Sequence, residues 1–269
     1  MKRIIKIIIM SGISLLMVTA AFTSCTASKA NNTLIVGMKL AYPPFETKDT
    51  NGAPSGISTD LAKDLAKYLG RPVKIQDIAW TGLIPSLQTG KVDVVISSMT
   101  ITDERKKTVD FSDPYAHSYL ALLVNKKSNV TTAADLNKKG IVVDIKIGTT
   151  ANTYADKNLT NATVNVLASE NACVTEVVQG KADVFIYDQL TIYRQNQSNL
   201  DSTKAIMIPI QDKEDWGMAV KKGNTELLNK INTFIAKYKS DGGFEKLTQK
   251  YLPQEKKTFD SLGFPWFFD

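Results

Sequence analysis

Short apolar runs alternate with helical patterns along most of this chain. Between these runs, apolar residues recur every three or four positions, as they do on one face of a helix. Strands that are separated by helices of about ten residues predict parallel sheets covered on both faces. The pattern therefore predicts an α/β fold. Four runs have the length of a buried strand, namely Leu34–Val36, Val92–Ser97, Ile141–Val143 and Val184–Tyr187.

Helical spacing is clearest in three segments. The first helix follows Ser58–Asp60, which are placed to cap it, and its leucines recur every four residues up to a stop at Gly70. Two further helices are predicted at Glu226–Lys239 and Phe244–Tyr251. The tail 253–269 then adds five aromatic residues. We expect this tail to pack onto the folded body; the alternative is a strip that binds a partner.

The first 24 residues have the pattern of a signal peptide. Three basic residues in the first six positions precede an apolar stretch over 7–21. That stretch is too short to span a bilayer, since a spanning helix needs about 20 apolar residues. Small residues then lead to Cys25, much as in the bacterial lipoprotein processing signal. We therefore predict a lipid anchor on Cys25, a polar tether over 25–32 and an extracytoplasmic protein held at the membrane. The alternative is an ordinary secretory peptide with an incidental cysteine.

The composition is that of an ordinary globular protein. Of 269 residues, 43% are apolar and 22% are charged, and the length suggests two domains of roughly 100–150 residues. Two cysteines are too few for a disulfide framework, and one histidine is too few for a histidine-rich metal site. Without the three basic residues of the signal peptide, the charge falls from +6 to 30 − 27 = +3. That charge is too small to indicate nucleic-acid binding. Neither a metal nor an organic cofactor is predicted.

One sequence pattern occurs twice. Residues 86–98 (SLQTGKVDVVISS) and 176–188 (EVVQGKADVFIYD) each join a helix end to an apolar strand through a Gly-Lys-x-Asp turn. Ser98 and Asp188 then hold corresponding places at the carboxyl ends of the two strands, where ligands bind in open α/β sheets. The repeat favours two lobes of one plan with a ligand between them. Chance similarity of two βα units is the alternative.

Five segments resemble those of one protein family. The chain resembles, over roughly residues 33–252, the bacterial extracellular solute-binding proteins of family 3, which are the amino-acid receptors of ABC importers. The stretch SSMTITDERKKTVDFSDPY is highly specific to that family. The resemblance is carried by VGMKLAYPPFE (36–46), LIPSLQTGKVDVVISSMTITDERKKTVDFSDPY (83–115), GTTANTYA (148–155), GKADVFIYD (180–188) and WGMAVKKGN (216–224).

The resemblance implies a two-lobed periplasmic-binding-protein fold of type II. Each lobe would be a mixed sheet flanked by helices, and two extended crossings would connect the lobes. The first lobe would comprise 33–117 plus 217–252, the second 118–216, and the tail 253–269 would lie outside the resemblance. The implied function is to capture a free amino acid, as a monomer, and to hand it to an ABC permease with its ATPase.

A free amino acid needs three kinds of partner. Its carboxylate needs a bidentate Arg and free N–H groups, its ammonium needs a carboxylate and neutral acceptors, and its apolar part needs aromatic walls. By the resemblance, Arg105 clamps the ligand carboxylate, because a planar guanidinium suits that group better than a lysine does. Thr100 and Thr150 would assist it, the latter at the start of a helix, where anions bind. A plain helix cap at 148–150 is the alternative reading of Thr150.

The remaining implied contacts are to the ammonium and the aliphatic part. Asp188 and Ser98 would accept from the ammonium, and Tyr42 and Trp80 would enclose the aliphatic part. Without the resemblance, Asp188 reads as the N-cap of the following helix, and the two aromatic residues read as ordinary core.

Two departures from the family pattern concern the ligand side chain. Many members that bind basic or amide side chains have Asp three residues before the tyrosine of the first loop, where this chain has Lys39. The usual Gly-Phe-Asp-x-Asp is Gly56-Ile57-Ser58-Thr59-Asp60 here. We therefore expect a polar neutral or acidic amino acid rather than a basic one. Alternatively, Lys39 extends into solvent on its flexible stem.

Residues that could indicate an enzyme are few. Cys173 is expected to be a buried thiol inside a helix, and His117 a residue of the hinge. Some secreted dehydratases that act on cyclohexadienyl acids share this fold, and they need a positioned general acid. No residue of this sequence is assigned that role, so we expect a binding protein and keep the dehydratase as the alternative. The other alternative is a sensor domain of a kinase or cyclase, which would require a transmembrane helix after the domain, whereas this sequence ends soon after Tyr251.

Overall fold

The computed structural model describes residues 32–269. The predicted signal peptide, Cys25 and all but the last residue of the predicted tether lie outside them. The strands are, in chain order, β1 (Leu34–Met38), β2 (Thr47–Lys48), β3 (Pro54–Ser55), β4 (Val73–Asp77), β5 (Val94–Val95), β6 (Val109–Phe111), β7 (Ala116–Ser118), β8 (Leu120–Asn125), β9 (Val142–Lys146), β10 (Thr163–Leu167), β11 (Val184–Asp188), β12 (Thr203–Ile206), β13 (Glu214–Trp216) and β14 (Ala219–Lys221).

The helices alternate with these strands. They are α1 (Ile57–Tyr68), α2 (Leu83–Gln88), α3 (Asp103–Lys106), α4 (Thr150–Asn158), α5 (Glu170–Gln179), α6 (Gln189–Ser198), α7 (Thr225–Ser240), α8 (Gly243–Tyr251) and α9 (Pro253–Leu262). Within residues 32–269, none of them combines the length and the apolar character that a bilayer-spanning helix needs.

Two five-stranded sheets form the two lobes. The first has the strand order β4-β1-β5-β14-β6, and the second has the order β10-β9-β11-β8-β12. In the first sheet β1 runs parallel to β4 and β5, whereas β14 is antiparallel to β5 and β6. In the second, β8 is antiparallel to β11 and β12. The mixed sheets expected from the resemblance are thus confirmed, whereas the parallel pairing expected from strand–helix alternation holds only among β1, β4 and β5 and among β9, β10 and β11. The antiparallel strands β8 and β14 are those that follow the two passages of the chain between the sheets.

An antiparallel pair of short strands connects the sheets. The chain leaves the first sheet after β6 and returns to it at β14, and on the way β7 pairs with β13, with Ala116 opposite Trp216. The lobe limits expected from the sequence, at 117/118 and 216/217, lie in and beside this pair. These limits stay a prediction.

The aromatic tail packs on the first lobe. Phe259 and Phe267 are fully buried, and Trp266 is nearly so, in the same core as β1 and α1. The tail also reaches the second lobe, since the Gln189 side chain of α6 donates to the Pro265 carbonyl at 3.0 Å. The tail therefore contacts both lobes.

Two local expectations are wrong. Helix α1 begins after Gly56 and has no side-chain cap, because the Ser58 hydroxyl donates to Glu46 and that of Thr59 to the Ser55 carbonyl. The strand expected over 92–97 is only β5, and the chain turns away beyond it through Ser98, whose φ is 48°. The Ser58 hydroxyl thus contacts Glu46, and both Glu46 and Ser98 line the cleft described next.

Candidate ligand-binding cleft

All eight residues expected to contact a ligand line one cleft between the two sheets. The cleft has an empty volume of about 570 Å³, open solvent at its mouth included. The structure thus brings together residues from both lobes, and their individual roles remain predictions. The eight are Lys39, Tyr42, Trp80, Ser98, Thr100, Arg105, Thr150 and Asp188.

Arg105 extends from α3 into the cleft. Thr102 caps that helix by accepting from the Arg105 backbone N–H, which fixes the start of the side chain. The guanidinium donates to two carbonyl oxygens, from Nη1 to Thr100 at 2.6 Å and from Nη2 to Gly148 at 3.1 Å. Burial lowers the pKa of Arg105 to about 10, so the group remains a cation at neutral pH. A permanent, partly desolvated cation therefore lies at this end of the cleft.

Asp188 ends strand β11 and caps α6. Its Oδ1 accepts from the backbone N–H groups of Leu190 and Thr191, both at 3.0 Å. Its Oδ2 is buried and has no hydrogen-bond partner among the residues that the structure describes. Burial raises the pKa of Asp188, and the hydrogen bonds from Thr191 oppose that rise. The two interpretations of this residue are compatible, because the oxygen that caps the helix is not the one that has no hydrogen-bond partner within residues 32–269.

Ser98 and Thr100 are engaged with carboxyl groups of the protein. The Ser98 hydroxyl donates to Glu46 Oε1 at 2.9 Å, and the Thr100 hydroxyl donates to Glu214 Oε2 at 3.0 Å. Thr150 is the first residue of α4, but the cap of that helix is Thr149, whose Oγ1 accepts from Asn152. Each of these three side chains borders the cleft, and the hydroxyl protons of Ser98 and Thr100 are already donated to carboxyl groups of the protein.

Tyr42 and Trp80, the two aromatic residues of the cleft expected from the sequence, make different contacts. Tyr42 is buried and stacks on Phe45 with ring centroids 5.4 Å apart, so one face of its ring is already covered. The Trp80 indole nitrogen donates to the Gly148 carbonyl at 3.0 Å, which links the two lobes. The Trp80 ring also lies 5.4 Å from the guanidinium carbon of Arg105 and 5.6 Å from the ammonium of Lys146. Trp80 therefore contacts two cations as well as bordering the cleft.

Lys39 lies at the rim of the cleft. Its ammonium is 3.9 Å from Asp77 Oδ1, and its side chain is 36% exposed. The same Asp77 forms a closer ion pair of 2.8 Å with Lys48. The charge of Lys39 is therefore partly balanced and partly solvated, which reduces its repulsion of a cationic ligand.

Three charged residues of the cleft were missed from the sequence, namely Glu46, Lys146 and Glu214. Glu46 lies inside the first family segment, and Glu214 precedes Trp216 by two residues. Lys146 is the clearest missed signal, because a lysine at the carboxyl end of an otherwise buried strand, just before the Gly148 turn, is unusual. These residues add two carboxyl groups and one cation to the expected set.

The two residues considered for enzyme chemistry, Cys173 and His117, lie outside the cleft. Cys173 is fully buried in α5, as expected, and burial raises the pKa of its thiol to about 12. His117 lies on β7, where its Nδ1 is 2.7 Å from Asp215 Oδ1. Neither residue borders the cleft.

Two helix-flanked mixed sheets, linked by an antiparallel strand pair and enclosing a charged cleft, define a two-lobed binding protein. The chain matches the model of the bacterial extracellular solute-binding proteins, family 3, over residues 34–254, and it belongs to that family.

Several relatives of known name support this assignment. The chain is 32% identical over 226 residues to the L-cystine-binding protein TcyJ of Escherichia coli strain K12, which covers 83% of this chain and 84% of that protein. It is 32% identical over 243 residues to ABC transporter arginine-binding protein 1 of the same strain, with coverage of 89% and 97%. Among solved structures, an ancestral amino acid-binding protein, a precursor of cyclohexadienyl dehydratase, is 38% identical with a TM-score of 0.75, and the match covers 82% of this chain and 95% of that one.

Proposed function

We propose that this protein captures a free amino acid between its lobes and delivers it to an ABC permease. One observation carries the proposal: a partly buried guanidinium from the first lobe and a buried carboxyl from the second, one of whose oxygens has no hydrogen-bond partner among the described residues, line the same cleft. Arg105 offers a planar cation to an α-carboxylate, and Asp188 Oδ2 offers an acceptor to an α-ammonium. This charge pattern complements a zwitterion.

The preferred side chain is polar neutral or acidic rather than basic. Two lysines, Lys39 and Lys146, border the cleft. A ligand cation placed near them would be repelled in a partly desolvated space. Since one relative binds arginine and another binds cystine, the family fold alone does not set this preference, and the side chains of this cleft must do so.

A ligand screen tests both the receptor function and the side-chain preference. Thermal unfolding would be followed with each of the twenty amino acids and with cystine, and every hit would be measured by calorimetry. A ligand at 100 times its dissociation constant stabilises a protein by about 2.7 kcal/mol. We expect stabilisation by polar neutral or acidic amino acids and little by arginine or lysine. If no amino acid stabilises the protein, the receptor function is wrong; if arginine is the tightest ligand, only the side-chain preference is wrong.

The anchor and the partners complete the proposal. Cys25 carries a lipid that holds the monomeric receptor outside the cytoplasmic membrane, near a permease with its ATPase. Full-length protein should then partition into detergent, and Cys25→Ser should not. Mass spectrometry that finds an unmodified mature N-terminus at another residue would contradict the anchor without affecting the binding function.

A dehydratase is the second candidate, and one observation favours it. Burial raises the pKa of Glu46 in the cleft to about 8, so this carboxyl holds its proton at neutral pH, as a general acid must. Incubation with prephenate distinguishes the candidates, since a dehydratase releases an aromatic product and a receptor does not. We favour the receptor, because the curated relatives are binding proteins.

A further inference from the structure

The tail 253–269 is anchored in the first lobe, beside the strand pair that connects the sheets. Phe259 of α9 and Phe267 are both fully buried in the core that also contains β1 and α1. The Phe267 carbonyl accepts from the backbone N–H of His117 on β7 at 2.7 Å. The Phe267 ring lies 5.7 Å from that of Trp216 on β13. The tail therefore contacts both strands of the connecting pair.

Helix α6 of the second lobe packs on this tail. It follows β11 directly and contacts β8 of its own sheet, and its Ile192 lies in a core cluster of the second lobe. Leu190, however, is buried in the core cluster of the first lobe, and Tyr193 packs against that cluster. The Tyr193 ring meets the Phe259 ring edge-on, with centroids 5.7 Å apart. Helix α6 is thus shared between the cores of the two lobes.

Polar contacts join the same helix to the first lobe. Arg194 Nε lies 3.1 Å from Glu255 Oε1, and the Glu255 side chain is only 15% exposed. The Gln189 amide is buried and donates to the Pro265 carbonyl at 3.0 Å. Arg194 Nη1 also donates to the Pro43 carbonyl at 3.3 Å. Because Glu255 is largely buried, its ion pair is screened less than a pair on the open surface.

These contacts adjoin the cleft and depend on how the lobes are arranged. Helix α6 begins directly after Asp188, and Pro43 directly follows Tyr42; both Asp188 and Tyr42 line the cleft. A contact between two lobes stabilises only those arrangements of the lobes in which it forms. Residues 255–269 lie beyond the family match, which ends at residue 254, so most of the tail is additional to the family pattern.

We propose that the tail 253–269 is a strap that holds α6, and with it the second lobe, in the arrangement that encloses the cleft. The strap raises the population of this arrangement before a ligand arrives. The apparent affinity of a ligand falls with the fraction of molecules that can bind it, so a larger fraction gives tighter binding. The effect on affinity rests on the proposed receptor function, whereas the effect on the arrangement of the lobes does not.

Glu255→Ala should loosen the strap without changing any residue that lines the cleft. We expect this variant to bind the tightest ligand of the screen above about threefold or more weakly than wild type, as measured by calorimetry. Glu245→Ala is the matched control and should bind like wild type. Both glutamates lie in the first turn of a helix, but Glu245 accepts from Gln249 of its own helix α8.

A second variant distinguishes the ion pair from a general loss of stability. Arg194→Ala should weaken binding at least as much as Glu255→Ala, because it also removes the hydrogen bond to Pro43. Arg194→Ala/Glu255→Ala should bind no more weakly than Arg194→Ala alone, since the ion pair can be lost only once. Independent destabilisation by the two substitutions would instead make their effects add.

Small-angle X-ray scattering reports the arrangement of the lobes without a ligand. Ligand-free Arg194→Ala/Glu255→Ala should have a larger radius of gyration than ligand-free wild type. Saturation with the tightest ligand should make the two values equal, because the ligand itself then selects the enclosing arrangement.

The outcomes separate the strap from the receptor function. The strap is wrong if the double variant keeps either the affinity or the ligand-free radius of gyration of wild type, including the case in which only its melting temperature falls. If wild-type protein binds no amino acid, the receptor function fails, and scattering from the two ligand-free proteins still decides whether the tail sets the arrangement of the lobes.

Discussion

Trp80 and Gly148 join the two lobes through a hydrogen bond of 3.0 Å from the indole nitrogen to the carbonyl oxygen. Arg105 donates to the same oxygen at 3.1 Å. Gly148 has a φ of +71°, in the left-handed region that favours glycine, and a side chain there would lie 3.4 Å from the indole nitrogen. One turn of the second lobe is thus held by two side chains of the first, which join the two lobes at this edge of the cleft.

Trp80→Phe should weaken ligand binding without unfolding the protein. Phe keeps an aromatic ring but cannot donate to Gly148, and a net hydrogen bond is worth about 0.5–1.5 kcal/mol, or roughly two- to tenfold in affinity. Calorimetry with the best ligand measures the change. Trp266→Phe is the matched control, because it removes an indole bond to Thr248 outside the cleft and should lower only the melting temperature. Equal affinities in Trp80→Phe and wild type would contradict the bridging role.

Arg105→Ala should abolish tight binding. A ligand carboxylate that is left unpaired in the cleft costs about 3 kcal/mol or more, which is about a hundredfold in affinity. Without ligand, the loss of two hydrogen bonds to carbonyls should change the free energy of unfolding by no more than about 1–2 kcal/mol. Lys106→Ala, the exposed neighbour in α3, is the control and should bind normally, since surface ion pairs contribute little. Binding within threefold of wild type in Arg105→Ala would show that the carboxylate lies elsewhere.

Asp188→Asn and Asp188→Ala separate the two tasks of this residue. Asn caps helices about as well as Asp, so Asp188→Asn should keep the stability of α6, whereas Ala should cost about 1 kcal/mol. Both variants lose the negative charge opposite the ligand ammonium, and both should bind about tenfold or more weakly. Urea unfolding and calorimetry on the same samples give the two readouts. The assignment fails if Asp188→Asn binds like wild type.

Lys39→Asp should improve arginine binding. The change removes a cation and adds an anion at the rim, and because the site is half-exposed the effect is near the solvated limit of about 1 kcal/mol, or roughly fivefold. Lys48 also forms an ion pair with Asp77 but does not border the cleft, so Lys48→Asp makes the same change of charge outside the cleft and serves as the control. If Lys48→Asp raised the affinity for arginine as much as Lys39→Asp does, the gain would come from the net charge of the protein and not from the position of Lys39.

Asp144→Asn should stabilise the protein at neutral pH but not in acid. Asp144 Oδ1 accepts from Asn165 at 2.9 Å, and its buried Oδ2 has no partner among residues 32–269. Burial raises the pKa of Asp144 from 3.8 to about 6. The folded state therefore binds this proton more tightly than the unfolded state, so the group lowers stability as pH rises from about 4 to about 6.

Removing that ionisable group should raise the free energy of unfolding by about 3 kcal/mol above pH 6, and the gain should vanish below about pH 4. Urea unfolding of the variant and of wild-type protein at pH 8 and pH 4 measures this gain in the free energy of unfolding. The exposed Asp156→Asn on α4 is the control. A gain of the same size at both pH values would contradict the linkage to Asp144.

Much of the cleft could be predicted because the residues that line it occupy local, recognisable positions in the sequence. Arg105 lies in a specific motif, and Asp188 follows an apolar strand in a repeated pattern. Ser58 shows the limit of such reasoning: its place before a leucine pattern indicated a cap, but its hydroxyl donates to Glu46, twelve residues earlier. Local sequence does not reveal which of two possible partners a hydroxyl reaches when one of them is brought near only by folding.

The sequence by itself determined the order of strands and helices, the two-lobed family fold and the residue types at the carboxyl ends of the strands. Periodicity and motif chemistry depend on neighbouring residues, so they are present before the chain folds. Only the tertiary structure decided the partners of the charged groups. Trp80 meets Gly148 across 68 positions of sequence, and burial leaves Glu46 Oε2 without a hydrogen-bond partner among the residues that the structure describes. Desolvation and long-range contacts are properties of the packed molecule, because they require the two lobes to face each other.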